Sequence, residues 1–485
     1  MYKSKTKERR IFGHRRRVRR RSSRIWAFIS VGLFLLILEL LTRIFIDLSG
    51  DNNKFAQTQT EPDIAQAYRL NFISQNSPAQ QPVEDKQLLL AKPSVSVGYQ
   101  LVSNQKAEYW QINEQGFRDR DPLPLVKPDN EIRIFLLGGS TAFGYGAASN
   151  EATISEYLEK RLQQRIEQQK TSPHLYQSNT PLPPVTPQLA PANVLTPTTP
   201  NPDKAQAKPV IKPAKLKSGK YRVINAAVPG YTSGNELARM ALDVLKYKPD
   251  LIVMLDGYED LMLDSEEEAT QAPQANNYFS KPAKEAVAYL DKLRASVEDK
   301  SYLAKIAQSS WIERQKALKE ADFLLNEQTS KLVKHLPNNQ EELEKRVNRY
   351  VAHQKQILSL SAAARVPMVV AIQPEITGRN PSQLTDAEGA IATDLGRNYI
   401  QRMRDDYPVL ITAISKLAKT FPYNLEVVDL YKLSDQYPSP SFIDPIHLNE
   451  AANQKVAEQL YYTITNLTKM QEIPPKPAIV NKPIS

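Results

Sequence analysis

Near its C-terminus the chain reads Ser441-Phe-Ile-Asp444-Pro-Ile-His447. An Asp and a His three positions apart, on a loop entering a helix, can meet side chain to side chain. The Asp then holds one imidazole tautomer, and the His can take a proton from a hydroxyl. A candidate hydroxyl lies far upstream, in Gly138-Gly139-Ser140-Thr-Ala-Phe-Gly144, where the glycines allow a tight turn that exposes Ser140 at a helix start. Gly-Gly-Ser alone is a weak signal and also reads as a phosphate-cradling loop or a plain turn. Neither G-x-x-x-x-G-K-[ST] nor G-x-G-x-x-G follows, which disfavours a nucleotide loop. In Asn225-Ala-Ala-Val-Pro-Gly230-Tyr-Thr-Ser233, Gly230 can offer a bare backbone N–H. Asp256-Gly257-Tyr258-Glu259-Asp260 and Gln373-Pro-Glu375 complete the set. One histidine by itself is more often structural than catalytic. A serine combined with Asp-x-x-His is the residue set of nucleophilic acyl transfer.

Other chemistries are excluded or unsupported. The 485 residues include no cysteine, so disulfides, thiolate metal sites and a cysteine nucleophile are out. His14, His174, His335 and His353 show no ligand spacing, and neither a metal nor another cofactor is expected.

These residues gain meaning from what precedes them. Five apolar runs, at 132–137, 221–228, 251–255, 367–372 and 425–430, read as buried parallel strands. Helical patterns at 151–170, 235–247 and 449–467 alternate with them. The expected fold is therefore α/β, a three-layer, doubly wound, parallel five-stranded sheet. Ligand sites in such folds lie beyond the carboxyl ends of the strands, where each candidate residue stands. A helical insert at 281–361 is too long for an ordinary crossover. A lid, a substrate-binding cap, a docking surface for a protein partner and a plain structural insertion are all open.

Charge places the rest of the chain. Residues 1–24 carry 12 Lys and Arg against Glu8, leaving 51 basic and 52 acidic residues beyond them. The net +10 thus belongs to a tail, and no nucleic-acid partner is expected. Residues 25–46 (IWAFISVGLFLLILELLTRIFI) follow. At 1.5 Å per residue they reach roughly 33 Å, enough for a ~30 Å hydrocarbon layer. The arginine flank predicts a cytoplasmic N-terminus and an extracytoplasmic (periplasmic) body, and LTRIFIDLSG fits a cleavage site poorly. A polar stretch at 47–107 reads as a stalk or lead-in. A tract at 171–220 with 11 prolines reads as an extended, disordered insert. These segments frame a domain over 108–469, with a flexible tail at 470–485.

The combined motifs resemble the SGNH (GDSL-type) hydrolase superfamily, over about 131–261 and 367–467. Gly138-Gly139-Ser140 resembles its first block, with Gly139 where the family often has Asp. Asn225–Ser233 resembles the second, Gly257-Tyr-Glu-Asp260 the third (normally Gly-x-Asn-Asp) and Asp444-Pro-Ile-His447 the last. Gln111-Ile-Asn113-Glu-Gln-Gly116-Phe117-Arg118 is similar to a segment upstream in membrane-anchored bacterial members. The resemblance implies a flavodoxin-like SGNH fold, with Ser140 as nucleophile, His447 and Asp444 completing the triad, and the N–H groups of Ser140 and Gly230 as oxyanion donors. It implies an acyl-ester substrate, on a glycan or a lipid, and hydrolysis by a serine esterase. An envelope-polysaccharide O-acyltransferase and a catalytically silent binding or scaffold protein are the alternatives. The silent reading comes from Glu259, which replaces the family's oxyanion-binding Asn. A carboxylate only accepts hydrogen bonds, and losing one oxyanion donor costs about 100–1000-fold in kcat. Three outcomes follow: Glu259 is protonated and donates, a neighbour such as Asn225 or Tyr258 takes over, or the site is weak. Gln373 is expected to face the site as a substrate-positioning residue.

Overall fold

The structure is a computed structural model that describes residues 67–73, 88–94, 97–177, 212–265, 328–432, 436–437 and 439–472. The chain divides into two compact units, Met1–Asp63 and Ile64–Ser485, and all described residues lie in the second. The basic tail, the apolar run at 25–46, most of the proline-rich tract, the first part of the helical insert and nearly all of the C-terminal tail lie outside the described residues. Among the described residues no helix is long and apolar enough to cross a membrane.

The polar stretch before residue 107 is not a plain lead-in where it is described. Strands β1 (Leu70–Phe72), β2 (Leu89–Ser94) and β3 (Gly98–Leu101) form a small mixed sheet, and β4 (Gln105–Lys106) pairs with β5 (Gln111–Ile112). Tyr68, Leu89, Ala91, Tyr99 and Trp110 are buried in the same core as the main sheet. Strands this short leave almost no periodic signal, and the Gln/Asn-rich sequence around them conceals the few apolar residues that pack.

The main sheet holds β6 (Glu131–Gly138), β7 (Lys220–Asn225), β8 (Leu251–Asp256), β9 (Met368–Ile372) and β10 (Leu425–Asp429), all parallel, in the order β10-β9-β8-β6-β7. These are the five apolar runs, each differing from its strand by a residue or more at one end or both. Strands β6, β8 and β9 are buried along their whole length, which is why they read as continuous apolar runs. The chain leaves β6 toward β7 and returns past it to β8. The switch point of the topology therefore lies between β6 and β8, where such folds place their ligands.

Helices cover both faces. They are α1 (Ser140–Phe143), α2 (Ile154–Thr171), α3 (Ser233–Arg239), α4 (Tyr258–Met262), α5 (Gln340–Ala363), α6 (Asp386–Thr420) and α7 (Glu450–Asn466). The helix expected over 235–247 is shorter than its pattern: α3 passes into a π turn at Met240–Val244 and a 3-10 turn at Leu245–Tyr247. The end of the 281–361 insert is α5, which packs on α3 and α4 and feeds β9, so this part is an ordinary crossover helix. Helix α6 was not expected. Gly396, at φ 79°, breaks it, and beyond the break Tyr399, Met403, Tyr407, Leu410, Ile414 and Leu417 keep a three-to-four spacing through Pro408.

Candidate active site

Strand β6 ends in Gly138, whose φ of 150° suits glycine. A Cβ there would lie 2.2 Å from the Leu255 carbonyl oxygen and 2.5 Å from the Ala142 Cβ, so no other residue fits between β8 and α1. The chain then turns directly into α1, with Ser140 as its first residue. Gly144, at φ 88°, closes α1 by donating its N–H to the carbonyls of Ser140 and Thr141. Arg118 fixes this turn from below. Its buried guanidinium donates to the carbonyls of Phe143 (3.0 Å), Gly144 (2.8 Å) and Tyr109 (2.9 Å), to Asn150 Oδ1 (3.0 Å) and to the Tyr68 hydroxyl (2.7 Å). The lead-in segment around Arg118 therefore sets the position of the serine.

The second half of the site comes from the loop before α7. Phe442 and Leu448 bridge across it, Asn449 N–H donates to the Ser441 carbonyl (2.8 Å), and Asn449 caps α7. Thr141 Oγ1 donates to the Ile446 carbonyl (3.1 Å), tying this loop to α1. The result is a continuous relay. His447 Nε2 lies 2.7 Å from Ser140 Oγ, and His447 Nδ1 lies 2.5 Å from Asp444 Oδ2. Asp444 Oδ1 accepts the N–H groups of Ile446 (3.0 Å) and His447 (2.8 Å). Burial raises the carboxyl's pKa, but the neighbouring His447 and these hydrogen bonds outweigh it and hold Asp444 below the ordinary aspartate range. Ser140 is 1% exposed and His447 4%. Tyr145 stacks on the imidazole, with ring centroids 4.2 Å apart and planes at 20°. Nothing in the spacing of Tyr145 marked it. It reaches His447 because its N–H continues the α1 turn by bonding the Ser140 carbonyl (3.0 Å).

Gly230 occupies the third position of a turn in which Tyr231 N–H returns to the Val228 carbonyl (3.1 Å). Pro229 precedes it and its φ is 79°, the requirement of a type II turn. Val228 N–H bonds the Gly138 carbonyl (3.1 Å), setting this turn beside the serine, and the Tyr99 hydroxyl holds the Pro229 carbonyl (2.6 Å).

Two expected site residues face elsewhere. The Asn225 amide donates to the carbonyls of Ala142 (3.1 Å) and Phe143 (3.2 Å), and its oxygen accepts Ala227 N–H (3.2 Å). It braces α1 and does not supply an oxyanion donor. The Tyr258 hydroxyl is engaged with that of Tyr399 (3.2 Å). Gln373 follows β9, fully buried, and among the described residues its amide nitrogen and oxygen have no hydrogen-bond partner. Glu375 is structural: it caps the Ile376–Gly378 turn through Thr377 N–H (2.7 Å). His353, given no role from sequence, places Nδ1 2.9 Å from Ser233 Oγ, which also bonds Asp260. Asp260 additionally accepts Ser233 N–H (2.9 Å), joining the loops after β7 and β8.

Glu259 lies against the serine loop. A Cβ built on Gly139 would stand 2.3 Å from Glu259 Oε1. The carboxyl is 1% exposed, and among the described residues neither oxygen makes a well-formed hydrogen bond. Burial, helped by Asp260 and Asp256, pushes its pKa up to about 8, although its own N–H and that of Ser140 lie near enough to pull the other way. Among the described residues no group of acidic, histidine or cysteine side chains could hold a metal ion.

A family model described as "GDSL-like Lipase/Acylhydrolase" matches residues 134–460. A comparison with curated proteins found no match. Solved structures with a similar course include an acetyl xylan esterase (12% identity, 69% of this chain and 100% of that one, TM-score 0.31). Another is a point mutant of an acetyl-xylooligosaccharide esterase from Geobacillus (11% identity, 71% and 97%, TM-score 0.32). A third is the lipase/acylhydrolase from Enterococcus faecalis (13% identity, 69% and 95%, TM-score 0.29). Likenesses this distant say nothing about substrate.

Proposed function

The chain belongs to the GDSL-like lipase/acylhydrolase family, and on that premise we propose that it is a serine esterase using Ser140, His447 and Asp444. The observation that carries this reading is the unbroken relay from Ser140 Oγ through the imidazole to the Asp444 carboxylate, whose other oxygen accepts two backbone N–H groups. His447 Nε2 takes the serine proton as Oγ bonds to the ester carbonyl carbon. The π pair moves onto the carbonyl oxygen, which the N–H groups of Ser140 and Gly230 receive. Collapse breaks the ester C–O bond, and the alcohol leaves with the proton from His447. Water then repeats the cycle and releases the acid.

The near-complete burial of Ser140 and His447 favours a short acyl group, such as acetyl, over a long chain. The arginine-rich tail followed by residues 25–46 supports a single membrane anchor, with the esterase unit outside the cytoplasmic membrane acting on envelope esters. The test is fluorophosphonate labelling of the full chain in detergent, beside Ser140→Ala and His447→Ala, with circular dichroism for folding. Labelling lost in both variants is the expected result. A folded wild type that is neither labelled nor active on short-chain esters would end this reading.

A further inference from the structure

Glu259 stands where the family resemblance expects an amide that donates to the oxyanion. Its surroundings show how a carboxyl fits there. Gly139 has φ −83°, a conformation open to any residue. The demand for glycine therefore comes from space: a Cβ would lie 2.3 Å from Oε1 and 2.7 Å from Cδ of Glu259. The carboxyl occupies the room of a side chain at 139 and lies against the loop that carries the nucleophile.

Among the described residues neither oxygen makes a well-formed hydrogen bond, although its own N–H and that of Ser140 stand close. The groups acting on it are Asp260 and Tyr258 on its own helix, Asp256 at the end of β8, Glu236 on α3 and Tyr407 on α6, together with the N–H of Ser140. All the side chains among these are acids or phenols. Arg349 and His353 on α5 act on Asp260 instead. An ionised Glu259 would be a desolvated anion among three further carboxyls, those of Asp260, Asp256 and Glu236. An ionised Glu259 would also oppose the negative charge that develops on the ester oxygen.

We propose that Glu259 is held as a neutral carboxylic acid and donates its O–H to the oxyanion, with Gly139 left bare to admit it. The proposal rests on the serine-esterase reading above. The proton stays on Glu259 throughout, and its hydrogen bond strengthens as the carbonyl oxygen gains charge. The Gly139–Glu259 pair then replaces the Asp–Asn pair common at these two positions. It does so by moving the larger side chain from one residue to the other. The neutral acid that burial favours supplies the donor that the missing amide would have given.

The experiment follows kcat/KM of the full chain in detergent on a chromogenic short-chain ester across pH. Wild-type activity falls as Glu259 ionises at alkaline pH. Glu259→Gln keeps a donor that cannot ionise, so it stays within about tenfold of wild type and loses the alkaline fall. Glu259→Ala loses roughly 100–1000-fold. An alkaline fall retained in Glu259→Gln, or a Glu259→Ala variant as fast as wild type, overturns the proposal. Infrared difference spectra of wild type against Glu259→Gln read the proton without turnover: a buried carboxylic-acid carbonyl band is expected at about pH 6 and is lost by about pH 10. Absence of that band at the lower pH overturns this proposal alone. The band without any ester turnover overturns the esterase reading, and the donor role with it. For the cradle, Gly139→Asp lowers the unfolding temperature and Gly139→Asp with Glu259→Asn restores it. A Gly139→Asp variant as stable as wild type removes the packing argument.

Discussion

Replacing Asp444 by Asn tests how the relay is held together. Asp444 uses its two oxygens differently: Oδ1 accepts the N–H groups of Ile446 and His447, while Oδ2 faces His447 Nδ1. An Asn side chain must turn its NH2 toward one of these two sets. Facing the backbone would set donor against donor and leave two N–H groups unpaired, at about 1–3 kcal/mol each. The NH2 therefore turns to Nδ1, which must then accept. The imidazole proton moves to Nε2, directly opposite Ser140 Oγ, and the serine has no base. The expected loss in kcat is roughly 10,000-fold, or about 5.4 kcal/mol at 1.36 kcal/mol per decade. Ester turnover and fluorophosphonate labelling both report it, with circular dichroism unchanged because the backbone hydrogen bonds survive. An Asp444→Asn protein within about tenfold of wild type would refute the tautomer argument, since that argument leaves Nε2 no lone pair.

Two stability predictions follow from groups outside the triad. Arg118→Met strips one donor from each of the carbonyls of Phe143 and Gly144, which keep the Asn225 amide and the Ala147 N–H, and should cost about 1–3 kcal/mol in urea unfolding; no measurable loss would contradict its place beneath α1. Burial first, with charged neighbours, raises Glu259 to about 8 and Asp256 to about 7, and burial also raises Glu375 to about 7. The folded state therefore binds these protons more tightly than the unfolded chain, whose carboxyls titrate near about 4. Their contribution is complete below that value and is lost as pH rises through about 7 to 8. The unfolding temperature should fall between about pH 5 and about pH 9, and a flat or rising profile would contradict the protonated state of these carboxyls.

The sheet was legible because its central strands β6, β8 and β9 are buried on both faces and leave unbroken apolar runs. The reactive loops were legible because they follow those runs. Helix α6 was not: its buried residues from Leu395 to Leu417 keep a three-to-four spacing, but Gly396 and Pro408, both poor helix formers, stand inside it. The small sheet of β1, β2 and β3 was hidden for a different reason: three to six residues per strand are too few to show alternation. Within the site, Ser140, Asp444 and His447 declared themselves by residue type, and Glu259 declared itself by departing from a pattern. Asn225 was misread because an amide beside a reactive loop looks alike whether it faces a ligand or a carbonyl. The dependence of Gly139 on Glu259 joins residues 120 positions apart, and only packing reveals it.

Arg118 has a consequence for where this protein can be divided. The family signature begins at residue 134, yet the guanidinium beneath the serine turn needs the Tyr68 hydroxyl and the Tyr109 carbonyl, and Trp110 donates its indole N–H to the Ala67 carbonyl (3.0 Å). The autonomous folding unit is thus longer than the stretch that homology recognises. A truncation drawn at the signature would retain every residue of the relay and discard Arg118 itself. One drawn at 108 would keep the arginine but take away the partner from residue 68 and the strands that shelter it. Boundaries for expression, domain exchange or circular permutation belong before residue 67, the first described residue and already buried.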